Sequence, residues 1–196
     1  MGRRRLLAGG TAVLGALLLA GCQTPAVRRD RALVLAGRPP IRLNVAAMEI
    51  LDPPPPADPA IHVQDQMPQR PAQVLRGWLA QRLLPVGASG TARLAIEEAS
   101  VLEEALALTP GLRGRFTLDQ SERYTLTYRV RLDVAHASTG VSGTATAEAI
   151  RSTTMREDVT LAQRESAWFD LIEAAIADLD QVLEQNIRTY LPAFLV

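Results

Sequence analysis

The stretch Arg123-Tyr124-Thr125-Leu126-Thr127-Tyr128-Arg129-Val130-Arg131-Leu132-Asp133-Val134 decides the fold. Tyr124, Leu126, Tyr128, Val130, Leu132 and Val134 fall on one face of an extended chain, and Arg123, Thr125, Thr127, Arg129, Arg131 and Asp133 on the other. Six consecutive alternations have the period of a half-buried strand, not of a helix. Ser138-Thr139-Gly140 supplies a turn, and Val141 to Ile150 returns as the partner strand. The partner carries Gly143, Ala145, Ala147 and Ala149 on one face, so a bulky element can lie close to it. That element is the last helix. Thr160 and Gln163 make a capping-box pattern, and Pro192 marks the end. Between them Trp168, Leu171, Ile172, Ala175, Ile176, Leu179, Val182, Leu183, Ile187 and Tyr190 form an apolar stripe, opposed by Asp170, Glu173, Asp178, Asp180 and Glu184.

Upstream, Ile41 to Ala47 alternates as a strand, and Pro71 opens an amphipathic helix bearing Val74, Leu75, Trp78, Leu79, Leu83 and Leu84 before Pro85 closes it. Arg93 to Val101 reads as the next strand. Seven of the 13 prolines lie between Pro53 and Pro71, a stiff loop that cannot enter a sheet interior. Residues 108 to 120 are irregular, broken by Pro110, Gly111 and Gly114. The order strand, helix, three strands, helix predicts an α+β two-layer sandwich: an antiparallel sheet with a long C-terminal helix across one face.

Ahead of this domain, Met1-Gly2-Arg3-Arg4-Arg5 precedes a charge-free run from Leu6 to Gly21 that ends at Cys22, the only cysteine. A basic start, an apolar stretch and small residues before a cut form a secretory signal, and the run is short for a membrane span. Leu19-Ala20-Gly21-Cys22 matches the bacterial lipobox, in which the cysteine thiol is lipidated after cleavage. The expected organisation is a removed signal at 1–21, a lipidated Cys22 with a tether at 22–40, and one domain at 41–196. Two or three acyl chains hold a protein on a membrane without help from its surface.

Composition excludes more than it names. All 21 basic residues are Arg, against 21 acidic ones. Removing residues 1–21 takes away three Arg and no acid, leaving 18 against 21 and a net charge of −3. That balance, with aromatics at 4%, disfavours nucleic-acid binding. One Cys and two His give neither a disulfide framework nor a zinc site, so no metal or cofactor beyond the covalent lipid is expected.

Nor is a catalytic constellation evident, and the chain reads as a non-enzyme. Gly87-Ala88-Ser89-Gly90-Thr91 and Gly140-Val141-Ser142-Gly143-Thr144 miss the nucleophile-elbow spacing by one residue. His62 and His136 lie 74 positions apart. Carboxylates adjacent in a strand, as at Glu97-Glu98, are expected on opposite sides. The one cluster of interest is Arg113, Arg115, Arg123, Arg129 and Arg131. Guanidinium forks suit an anionic lipid head group or an acidic partner. The same residues also suit a solvated sheet face or pairing with the acidic side of the last helix.

The element order together with the lipobox resembles the auxiliary lipoproteins of ABC-type envelope transporters and, more distantly, the lipopolysaccharide-assembly lipoprotein. Asp119-Gln120-Ser121-Glu122-Arg123-Tyr124 and Trp168-Phe169-Asp170-Leu171-Ile172 are similar to uncharacterised lipoproteins of Arg-rich proteobacterial genomes. Arg3-Arg4-Arg5-Leu6-Leu7 resembles a twin-arginine export signal. Gln23, where an inner-membrane retention signal would have Asp, implies sorting to the outer membrane, facing the periplasm. The resemblance implies an accessory or assembly subunit for lipid or small-molecule transport, with an envelope protein or transporter as partner. A domain that carries a lipid or apolar ligand in a cavity over strand 141–149 is the alternative, and an envelope enzyme using His62 or His136 the second.

Overall fold

The computed structural model describes residues 38–56, 58, 60–106, 120–156 and 158–196. The elements run β1 (Ile41–Leu43), β2 (Ala47–Leu51), α1 (Pro71–Arg82), β3 (Leu83–Pro85), β4 (Thr91–Ala105), β5 (Gln120–His136), β6 (Val141–Arg156) and α2 (Leu161–Tyr190), followed by a 3₁₀ turn at Pro192–Phe194. The class is α+β, with the long C-terminal helix on one face of the sheet.

The main sheet has the order β2-β4-β5-β6. β4, β5 and β6 form the antiparallel meander, and β2 adds to β4 in parallel, so the sheet is mixed at one edge. Tyr124, Leu126, Tyr128, Val130, Leu132 and Val134 are all buried, as their alternation requires. Opposite them in β6 stand Ala145, Ala147 and Ala149, also buried, and α2 packs directly over this strand. Asn186 of α2 donates to the Thr146 carbonyl at 2.7 Å, and Arg151 of β6 makes a two-pronged ion pair with Asp178. At 1.5 Å per residue the 30-residue helix is about 45 Å long, close to the roughly 53 Å of the 16-residue strand beneath it. The helix therefore fills the space in which an apolar ligand would have to lie over 141–149. Thr160 caps α2 in a complete capping box with Gln163.

Four local expectations change. The strand read at 41–47 divides at Asn44–Ala46, where Val45 N–H turns back to the Leu43 carbonyl (2.8 Å). β1 leaves the main sheet and pairs in parallel with β3. Leu83 and Leu84 belong to β3, not to the helix, because the residue before Pro85 is disfavoured in helical geometry. Val182 and Tyr190 lie outside the buried stripe of α2, and Asp180, read as part of the acidic face, lies inside it. Last, the register slips between Ile96 and Glu98. Ala92, Leu94 and Ile96 point inward before the slip, Ala99 and Val101 after it, and Glu97 and Glu98 share the outer face. A bulge puts two residues opposite one, which is how adjacent acids come to one side.

The proline-rich segment is more than a spacer. Val63 N–H donates to Val101 O at 2.9 Å and Glu103 N–H to Ile61 O at 3.0 Å, so residues 61–63 cover the edge of β4 where β2 no longer reaches. His62 is the bridging residue.

Candidate functional site

The outer face of the main sheet carries polar rungs across its strands: Glu49-Arg93-Asp133-Thr144, then Ala95-Arg131-Thr146, then Glu98-Arg129-Glu148. Arg129 sits between two acids, with Nη1 2.9 Å from Glu98 and Nε 3.0 Å from Glu148. The Glu148 bond, foremost, holds its guanidinium charged more firmly than usual. Arg131 reaches Asp133 at 2.9 Å, and Arg93 approaches Glu49 at 3.4 Å. The Arg131 bond, then the Thr144 hydroxyl at 2.6 Å, holds the Asp133 carboxyl below its ordinary range. Arg123 is exposed, in register with Glu104 and Thr154. Three of the five clustered arginines thus lie on this face. Arg113 and Arg115 lie outside the described residues, as do Leu19, Ala20, Gly21 and Cys22. Arg129 takes its acids from the two neighbouring strands, Glu98 being turned to this face by the bulge. Arg131 takes Asp133 from its own strand, and neither pairs with an acid of α2 among the described residues. At one end this face hollows into an open groove of about 650 Å³ lined by Glu49, Thr91, Arg93, Asp133, Ser142 and Thr144 among others.

His136 stands at the same end but on the helix side. Its Nε2 donates to the Asn44 carbonyl (2.5 Å), and Ser89 Oγ lies 3.4 Å from Nδ1. The ring is tilted over Phe194 at 5.3 Å, and Gly90 (φ +85°) presses against it so closely that a Cβ there would come within 2.9 Å. The groove opens on the opposite face and does not converge on this histidine. His62 Nδ1 donates to the Asp58 carbonyl at 2.5 Å.

A site that pattern reading missed lies between the helices. Arg82, the last residue of α1, is only 4% exposed, and Asp180 of α2 only 6%. Arg82 Nε donates to Asp180 Oδ1 at 2.6 Å, Nη2 to Glu184 Oε2 at 2.5 Å, and Nη1 to the Pro39 carbonyl. Arg38 reaches Asp180 at 3.3 Å and Glu184 at 3.4 Å, and Arg188 binds Glu184 at 2.8 Å. Arg188, with Arg82 behind it, holds the Glu184 carboxyl below its usual range. The available signal was the phase of Asp180, which falls one residue after Leu179 and three before Leu183.

At the other end of α2, Arg164 donates to the Tyr124 hydroxyl (2.9 Å) and pairs with Glu122 (2.9 Å), while Tyr124 donates to Glu122 at 2.7 Å. Burial first, and then the Glu122 bond, raise the Tyr124 hydroxyl pKa. Trp168 packs edge-on against Tyr124 at 5.6 Å, and its buried indole N–H has no hydrogen-bond partner among the described residues. Among the described residues no cluster of three His, Cys, Asp or Glu could hold a metal ion.

No protein-family model matches this chain, and no curated protein does. Solved structures similar to this chain at a low level include the following two. A PelC dodecamer from Paraburkholderia phytofirmans is 18% identical over 74% of this chain and 92% of that one, with a TM-score of 0.20. A Xanthomonas campestris protein of the DUF330 family is 8% identical over 76% and 87%, with a TM-score of 0.26. Scores of this size support no inference about fold or function. No helix among the described residues is long and apolar enough to cross a membrane.

Proposed function

We propose that this chain is a lipid-anchored protein of the bacterial envelope, held in the outer membrane and facing the periplasm. Its single α+β domain serves as a non-catalytic accessory or assembly subunit of a lipid or small-molecule transport system. The observation that carries the anchor is Cys22, the only cysteine, placed where a charge-free run from Leu6 ends in Leu19-Ala20-Gly21. The sheet face that no described residue covers favours a subunit role: its groove is open, and its arginines and carboxylates pair with one another instead of converging on one point as a substrate cleft requires. The anchor is tested by Cys22→Ser and membrane fractionation with palmitate labelling; label and membrane association retained in the variant refute it. The subunit role is tested with a photocrosslinker at Thr127, on the open face. Capture of an envelope transport component supports the role, and crosslinks equal to those from Gln181 on the exposed side of α2 count against it.

A second reading, an esterase-type enzyme, has one observation in its favour: Ser89 Oγ beside His136 Nδ1, with Nε2 oriented by Asn44. Hydrolysis of p-nitrophenyl esters that disappears in Ser89→Ala would establish it, and absence of turnover would remove it.

A further inference from the structure

We propose that residues 38–40 form a docked strap that fixes the angle at which the domain is held to the segment before it. Pro39-Pro40 stiffens this stretch, and its two ends are gripped differently. Pro40 leads straight into β1, while the Pro39 carbonyl accepts from Arg82 and the Arg38 guanidinium reaches both Asp180 and Glu184. Three guanidiniums therefore converge on two carboxylates, and among the described residues the backbone acceptor that Arg82 uses belongs to the strap.

The burial of that cluster points to its purpose. A buried ion pair contributes little net stability over apolar residues of the same volume, and what it can add is a unique geometry. An apolar residue at position 82 would hold α1 against α2 equally well, but would offer nothing to a passing carbonyl or to Arg38. The arrangement selects one path for the chain. That path runs over the helix layer, beside the end of α1 and the last third of α2. In an anchored protein this places the helix layer next to the tether and turns the open sheet face away from it. The orientation at the membrane rests on the lipid-anchor reading above; the strap does not.

The test is made on the Cys22→Ser chain, in solution, so that failure of the anchor cannot be mistaken for failure of the strap. Nitroxide labels are placed at Gly37→Cys and Ser152→Cys, and the distance distribution between them is measured by pulsed electron resonance. A clamped strap gives a narrow distribution, which Arg38→Ala and Glu184→Gln each widen at least twofold. Asp178→Asn, which breaks an ion pair on the same helix away from the strap, leaves the width unchanged. Circular dichroism confirms that each variant is folded, and Arg38→Ala removes a half-exposed side chain that the core does not need. A broad distribution in the parent chain overturns the proposal, as does a width that none of the strap variants alters.

Discussion

Replacing Gly143 by Ala inverts the usual sign of that substitution. A glycine in a strand costs chain entropy, and filling it with a methyl where space allows stabilises a protein by about 0.4–1 kcal/mol. Here the added Cβ would lie 2.5 Å from Leu191 Cδ2 and 3.5 Å from the Tyr190 carbonyl. Carbon atoms rest at about 3.5–4.0 Å, so the methyl intrudes by at least about 1 Å. Leu191 is fully buried and cannot swing its methyl into solvent. Overpacking of this kind costs about 1–3 kcal/mol, which outweighs the entropic gain and leaves Gly143→Ala destabilised by about 0.5–2 kcal/mol. Urea unfolding reads the change directly, and in a thermal scan each kcal/mol corresponds to roughly 2–4 °C. Leu191→Ala alone costs about 2–5 kcal/mol by opening a cavity, and the double variant is less destabilised than the sum. A Gly143→Ala protein that gains stability would mean that the end of α2 does not sit on β6. The space over the small-residue strand would then be open to a ligand after all.

Other substitutions separate neighbouring effects. Gly140 (φ +69°) has open space around it, so Gly140→Ala loses only the left-handed backbone cost of about 1–2 kcal/mol, whereas Gly90→Ala adds a collision with the His136 ring and loses more; paired urea curves compare them. Tyr128→Phe removes a buried hydroxyl that donates to the Pro71 carbonyl at 3.1 Å, and calorimetry should register a loss of about 1–2 kcal/mol. Thr160→Ala unmakes the capping box and should cost about 1 kcal/mol, with faster amide exchange confined to the first turn of α2. Asp133, Asp178 and Glu184 each have a carboxyl pKa lowered by a bonded arginine. Their contribution is present above the ordinary carboxylate range and is lost as pH falls from that range through the lowered folded values, so the urea midpoint drops on acidification and drops less in Asp178→Asn.

The alternation at 123–134 and the small side chains at 143–149 foretold two adjoining strips of the buried sheet face, because a period of two or of small residues expresses burial directly. The capping box of α2 was equally local. What pattern could not reveal depends on contacts distant in sequence. Asp180 looks like a surface acid until Arg82, 98 residues earlier, is brought against it. Asp133 could be placed on the face of Arg131 by alternation alone, but Glu98 could not be placed beside Arg129, since the bulge between Ile96 and Glu98 breaks the alternation of β4. Ser89 and His136 show no motif spacing and meet only because the loop before β4 closes against the last residue of β5. Leu83 and Leu84 continue a helical stripe in the sequence, and only their pairing with Ile41 and Arg42 reveals a strand.

β1 lies between β3 and the final residues: Leu43 bridges Leu195, and the Val196 N–H reaches the Arg42 carbonyl at 3.2 Å. Those partners are separated by about 150 residues, so this corner is a clasp whose second half leaves the ribosome long after its first. Such distant closures are slow, because the entropy of a long loop is lost before any contact rewards it. A nascent chain stopped short of Leu195 keeps β1 with an open side. The domain thus gains its last register only once residues 195 and 196 have emerged, and removing those residues should leave the meander intact while loosening the corner at β1.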